Sequence, residues 1–200
     1  MTEHIWELLE TFRCFEKDET MKKYLGQFLQ SEHIIWGDVL EQTPMIKEPT
    51  IVVGNLPYYI TSPIFRKFFA EELHPIGGIF LIQKEVAEKI MTDAKKKSYL
   101  WWFINNQYDI EYLFTVLPDA FAPPPAVDSA VVRFVKKEHA VYSDLSEVEK
   151  FLDLVSGMKR KTLGKIQKIL AKKDITVRIP EKFLPRRLEE LGWDEMREIV

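Results

Sequence analysis

An amide, a stiff turn and an aromatic ring follow one another in the stretch VVGNLPYYITSPIF, Val52 to Phe65. The side-chain carbonyl of Asn55 and a nearby backbone carbonyl are hydrogen-bond acceptors, and Pro57 holds the turn rigid without adding a donor. Such a cup fits an exocyclic amine. Acceptors aimed at an aromatic amine orient its nitrogen lone pair toward an electrophile, while the ring of Tyr58 offers a face on which a base can stack. The arrangement asks for no strong general base.

Two acids share this kind of placement. Glu16 closes the strand-like segment RCFEKD and Asp38 the strand-like EHIIWGDVL. Ligands of open α/β sheets sit beyond the carboxyl ends of the strands, where an acid commonly accepts from a ribose diol and an Asp can take the amine of an adenine. Taken singly, each also suits a helix cap or a solvated loop. His4, His33, His74 and His139 show no i, i+4 pairing, so no zinc site is visible, and no serine occupies a nucleophile elbow. The five tryptophans read as packing rather than as a base-stacking platform.

The elements that must position these residues alternate. A helix is expected from Thr2 through Leu9, a strand at RCFEKD, a helix from Asp18 through Met21, Tyr24, Leu25 and Phe28, and a strand breaking at Gly37-Asp38. Thr50 to Gly54 is β-branched and uninterrupted, as a strand buried on both faces would be. Ser62-Pro63 opens a helix through Phe65, Phe68 and Phe69. IFLIQ is a strand, KEVAEKIMTDA a helix, Tyr99 to Asn106 helix or strand, DIEYLFTVL extended, and AVDSAVVRFV a strand. The pattern predicts an α/β, doubly wound parallel sheet with antiparallel additions near its end. After Val135 the texture turns polar and then helical and basic, which places a boundary near Glu138 to Tyr142. Residues 1–138 form the expected sheet domain and 139–200 a small C-terminal helical domain.

Composition sets outer bounds. Two hundred residues at 46% hydrophobic content suffice for one core-bearing domain with a small appendage. Cys14 stands alone, which excludes an intrachain disulfide and suggests a reducing, cytoplasmic setting. No apolar run reaches bilayer length, and MTEHIWELLE is acidic where a signal peptide is basic. The net charge of −3 hides an asymmetry: eleven Lys or Arg lie between Met158 and Arg187 against Asp174 and Glu181. Lys159, Arg160 and Lys161, with Lys165, Lys168, Arg186 and Arg187, suit phosphate contacts, or else a solvated helical face.

NLPYYITSP resembles the signature of the ribosomal RNA adenine dimethyltransferases, the KsgA family. The segments IQKEVAEKI, Ser98-Tyr99, AFAPPPAVDSAVVRF, KRKTL and RRLEELGWDE are similar to their counterparts there, in the same order. The resemblance implies a Rossmann-like class I methyltransferase fold that uses S-adenosylmethionine. Asn55 and the carbonyls of Leu56 and Pro57 would hold the target amine, with Tyr58 and Phe121 on the two faces of the adenine. Phe121 otherwise reads as a core aromatic before a proline-stiffened loop. Glu16 would take the cofactor ribose and Asp38 the cofactor adenine, with Asn55 beside them. The partner would be small-subunit ribosomal RNA or a pre-ribosomal small subunit, met by a monomer.

One departure stands out. Family members carry a first strand and a glycine-rich loop ahead of the segment resembling TEHIWELLE, and the eight glycines here form no G-x-G. The sheet is therefore expected to be N-terminally incomplete, lacking a strand between those ending at Glu16 and Asn55, as in a piece of a longer enzyme. Two other readings remain beside the small-subunit enzyme: a non-catalytic RNA-binding assembly factor, and a resistance-type methyltransferase acting on large-subunit RNA.

Overall fold

Local chemistry sets where each strand starts and stops. The computed structural model describes residues 12–27, 29–42, 49–71 and 75–200; the helix expected from Thr2, and Phe28, lie outside them. The chain divides into two compact units, Met1–Lys47 and Glu48–Val200.

In the first unit, β1 (Cys14–Glu16) pairs in parallel with β2 (Ile34–Trp36), Glu16 opposite Trp36. Asp18 ends the first strand by accepting the Thr20 N–H at 2.9 Å, which starts a 3-10 turn that runs into the short α1 (Lys22–Leu25). Gly37 ends the second. Its φ of +136° suits glycine alone, and an added Cβ would lie 2.1 Å from Gln42 Nε2.

The second unit contains β3 (Ile51–Asn55), α2 (Thr61–Phe65), a π-helical turn at Arg66–Glu71, β4 (Gly77–Gln83), α3 (Lys84–Ile90) and α4 (Tyr99–Gln107). Then come β5 (Tyr108–Val116), β6 (Ser129–Lys136), α5 (Ser146–Val155), α6 (Leu163–Ala171) and α7 (Trp193–Met196). The sheet order is β3-β4-β6-β5, with β3 and β4 parallel and the last two strands antiparallel. The strands form two ladders, the β1–β2 pair and this four-stranded sheet.

Side chains alternate across the sheet, and only one face is dry. On it the rings of Phe65 and Phe69 from the α2 region meet Phe80 and Phe134 at centroid distances of 4.6 to 5.5 Å. On the other face Ile51 is 61% exposed, Val53 40% and Ile79 42%. Burial of β3 on both faces, expected from its β-branched run, is therefore not observed. Composition reports that a strand is apolar, whereas what packs on each face of the sheet decides whether it is covered: Ile79 of the internal β4 is exposed on the same face.

Tyr99 to Asn106 is helix, capped by Ser98, whose hydroxyl accepts the Trp101 N–H at 3.2 Å. Leu100 to Asn106 are all buried, and this helix serves two sides. Trp101, Trp102 and Phe103 belong to one hydrophobic cluster with Val148, Leu152, Leu163, Ile166, Leu191 and Met196 of the basic tail. The tail's core is thus completed by a helix that precedes residues 138–142 in sequence. Among the described residues no helix is long and apolar enough to cross a membrane.

Candidate functional site

β3, β4 and β5 run out at Asn55, Gln83 and Val116, and β6 begins at Ser129, opposite both Gln83 and Val116. The turn after Asn55 and the loop from Leu117 to Asp128 therefore lie at one end of the sheet. Leu56 N–H donates to the Leu81 carbonyl at 3.1 Å, tying the turn to β4. Gly54 makes that turn compact: a Cβ there would stand 2.7 Å from Leu56 Cδ2, which folds back beneath the strand.

The Pro57 carbonyl accepts twice, from Ile60 N–H and from the buried Thr61 hydroxyl, each at 3.1 Å. Both of its lone pairs are engaged, whereas the Leu56 carbonyl accepts no hydrogen bond among the described residues. Asn55 is exposed, and its side chain has no hydrogen-bond partner among the described residues. The Tyr58 hydroxyl meets Ser129 Oγ at 2.5 Å. Phe121 is half-buried directly after a 3-10 turn at Pro118–Ala120. The far end of its loop is fixed by Lys84, whose N–H donates to the Asp128 carbonyl at 3.0 Å and whose ammonium lies 3.5 Å from the Asp128 carboxylate.

Glu16 and Asp38 end the neighbouring parallel strands of the first unit. Glu16 Oε1 accepts the Asp18 N–H at 2.7 Å, and its backbone carbonyl accepts Gly37 N–H at 2.9 Å. Asp38 accepts the Leu40 N–H at 2.9 Å on one oxygen and the Lys17 ammonium at 2.7 Å on the other. Both groups are carboxylate acceptors held at the ends of parallel strands. That donor-acceptor chemistry fits a ribose diol and an adenine amine, which are donors, and so fits the nucleoside end of S-adenosylmethionine.

The basic residues gather through backbone bonds. Leu163 N–H donates to the Arg186 carbonyl at 2.8 Å and Gly164 N–H to Leu184 at 2.9 Å, so Lys159–Lys161 lie beside Arg186 and Arg187. These bonds also use the first N–H groups of α6, which leaves anion attraction to side chains. Lys159, Arg160, Lys161, Lys165 and Lys168 are exposed and make no ion pair among the described residues. Arg187 lies 3.8 Å from Glu189. Arg186 is committed within the fold: it pairs with Glu195, donates to the Glu190 carbonyl and stacks over Phe183. Burial alone would raise the Glu195 pKa, but the hydrogen bonds from Arg186 and Gly192 N–H, with the Lys97 charge, hold it below its ordinary value.

Sequence reasoning passed over three residues that shape this end of the four-stranded sheet, Thr61 on the Pro57 carbonyl, Ser129 on Tyr58 and Gly54 beneath Leu56, and, in the first unit, Lys17 on Asp38. Ser129 carried a usable signal, a lone hydroxyl at the head of the apolar run AVVRFV.

Parallel strands ending in acids, a strand ending in Asn-Leu-Pro-Tyr and an antiparallel β5–β6 edge make a Rossmann-like methyltransferase fold. A dimethyladenosine transferase from Plasmodium falciparum shares it, with a TM-score of 0.68 at 20% identity over 93% of this chain and 79% of that one. The model of the ribosomal RNA adenine dimethylase family matches residues 1–192, and the chain belongs to that family. The ribosomal RNA small subunit methyltransferase A of Prosthecochloris aestuarii is 34% identical over 82% of this chain. The chain spans 64% of that relative's length. The probable ribosomal RNA small subunit methyltransferase A of Methanococcoides burtonii is 32% identical over 100% of this chain and 77% of its own.

Proposed function

We propose that this chain carries the methyl-transfer and RNA-binding parts of an adenine N6-dimethyltransferase acting on two adjacent adenines of small-subunit ribosomal RNA. The observation that carries the reading is Asn55: an exposed amide without a protein partner among the described residues, at the end of a strand whose following turn is pinned by Leu81, Ile60 and Thr61. Its Oδ1 and the Leu56 carbonyl accept the two N–H bonds of the target amine and aim the nitrogen. Tyr58 stacks on one face of the extruded base and Phe121 covers the other. Extrusion costs a few kcal/mol, and stacking at about 1–3 kcal/mol per contact offsets it.

Glu16 holds the ribose of S-adenosylmethionine and Asp38 its adenine amine. When bound, that cofactor supplies a methyl group on a positively charged sulfur, reactive enough that the amine needs orientation more than deprotonation. The basic tail grips phosphates of the pre-ribosomal small subunit, and the protein works as a monomer in the cytoplasm.

The test is transfer of labelled methyl groups to small-subunit particles that lack the modification. Asn55→Ala is expected to lower kcat by about 100-fold, the scale of a misplaced reacting group. Full transfer by Asn55→Ala would refute the amide's role. Salt-sensitive RNA binding with no transfer by the unaltered chain would favour a non-catalytic assembly factor.

A further inference from the structure

The base clasp just proposed needs more than two aromatic rings, because a half-exposed tyrosine turns freely about two torsions unless something holds its far end. Ser129 is placed to do so. It is fully buried, and its backbone lies at the head of β6 between Gln83 of β4 and Val116 of β5, so its Oγ is a fixed point. The Tyr58 hydroxyl lies 2.5 Å from it. The root of the Tyr58 side chain is fixed as well, through the two hydrogen bonds that the Pro57 carbonyl just before it accepts from Ile60 N–H and the Thr61 hydroxyl. Root and tip held together fix the direction of the ring's long axis.

The same strand head anchors the second ring. Phe121 stands eight residues before Ser129, on the loop whose last residue, Asp128, is held by the Lys84 backbone and ammonium. A shift of β6 would move both halves of the clasp together.

We infer that Ser129 is a positioning residue for base binding: its hydroxyl holds the Tyr58 phenol so that the ring stands ready to stack, and its strand ties that ring to the Phe121 loop. This rests on the reading of Tyr58 as the stacking residue. Ser129 touches no substrate atom, and its effect passes through Tyr58.

The experiment combines Ser129→Ala, Tyr58→Phe and their double variant, assayed for methyl transfer to unmodified small-subunit particles. A single hydrogen bond of this kind contributes a factor of about 3 to 10. Each single variant is expected to lower kcat by about that factor, with KM for RNA changed less than twofold. The double variant is expected to fall no further than the weaker single, because both remove one bond. Ser129→Thr, which keeps the hydroxyl, restores most of the loss. In a ribosomal RNA fragment with 2-aminopurine at the target position, Ser129→Ala leaves the bound probe brighter, since stacking quenches it less.

Wild-type kcat in Ser129→Ala, or losses that multiply in the double variant, would overturn the inference. If Ser129→Ala does not fold, Tyr58→Phe removes the same bond from its less buried side, and unchanged kcat there overturns it equally. Tyr58→Ala separates the layers: full transfer sinks the stacking reading itself, whereas lost transfer beside a normal Tyr58→Phe sinks only the role of Ser129.

Discussion

Replacing Lys159, Arg160 and Lys161 together by serine is expected to change how RNA affinity responds to salt. Five exposed cations, these three with Lys165 and Lys168, make no ion pair among the described residues. Each phosphate neutralised contributes about 0.7 to 0.9 to the slope of log affinity against log salt, so five contacts give a slope of about −3.5 to −4.5. Affinity then falls by roughly 100- to 500-fold between 50 and 200 mM salt. Removing three contacts leaves a slope of about −1.4 to −1.8. The assay is equilibrium binding of a small-subunit ribosomal RNA fragment over a salt series, with Arg186→Ala as a contrast. Because Arg186 is engaged by Glu195, the Glu190 carbonyl and Phe183, its loss is expected to shift the slope far less. An unchanged slope in the triple variant, or an equal change in Arg186→Ala, would refute the assignment of phosphate contacts to the turn before α6.

Arg186→Ala is instead expected to destabilise the tail by about 1 kcal/mol, the worth of a charge-assisted bond discounted for partial exposure, read as a melting-temperature drop of about 2–4 °C. Acidification acts on the same pair. The Glu195 pKa is depressed in the fold, so its contribution is complete above the ordinary carboxylate range and is lost as pH falls through the lowered value; Glu195→Gln should flatten that acid limb in a thermal-melt series. Gly37→Ala forces a left-handed φ on a side chain and drives a Cβ into Gln42, which is expected to cost about 1–3 kcal/mol, measured as a lower urea midpoint.

Much of the sheet was legible because strands and their breakers write short-range signals. Asp18, Gly37 and Ser98 each end or begin an element by a bond or torsion confined to a few residues, and each did so where the sequence placed it or left it open. Tyr99 to Asn106 was ambiguous because both of its sides are buried, which erases the period that separates helix from strand. The exposed face of β3 was illegible for the opposite reason, since what packs on a sheet face is a non-local property. At the site the sequence named residues that face outward, and it missed those that hold them from behind. Thr61 and Ser129 act through single bonds to groups four and seventy-one positions away, for which composition and spacing carry no mark.

The helix Tyr99–Gln107 has a mechanical consequence. Since its tryptophans fill the heart of the C-terminal cluster while its other side rests within the sheet unit, the basic tail is not a tethered arm that searches for RNA at the end of a flexible leash. On the proposed reading, grip and chemistry are geared on one shaft, and a phosphate held near Lys159 would set the angle at which the nucleic acid meets the Asn55 edge. Cutting the chain at the polar hinge would strip two indoles of their packing and disturb both ends at once, which makes the two halves poor candidates for separate modules.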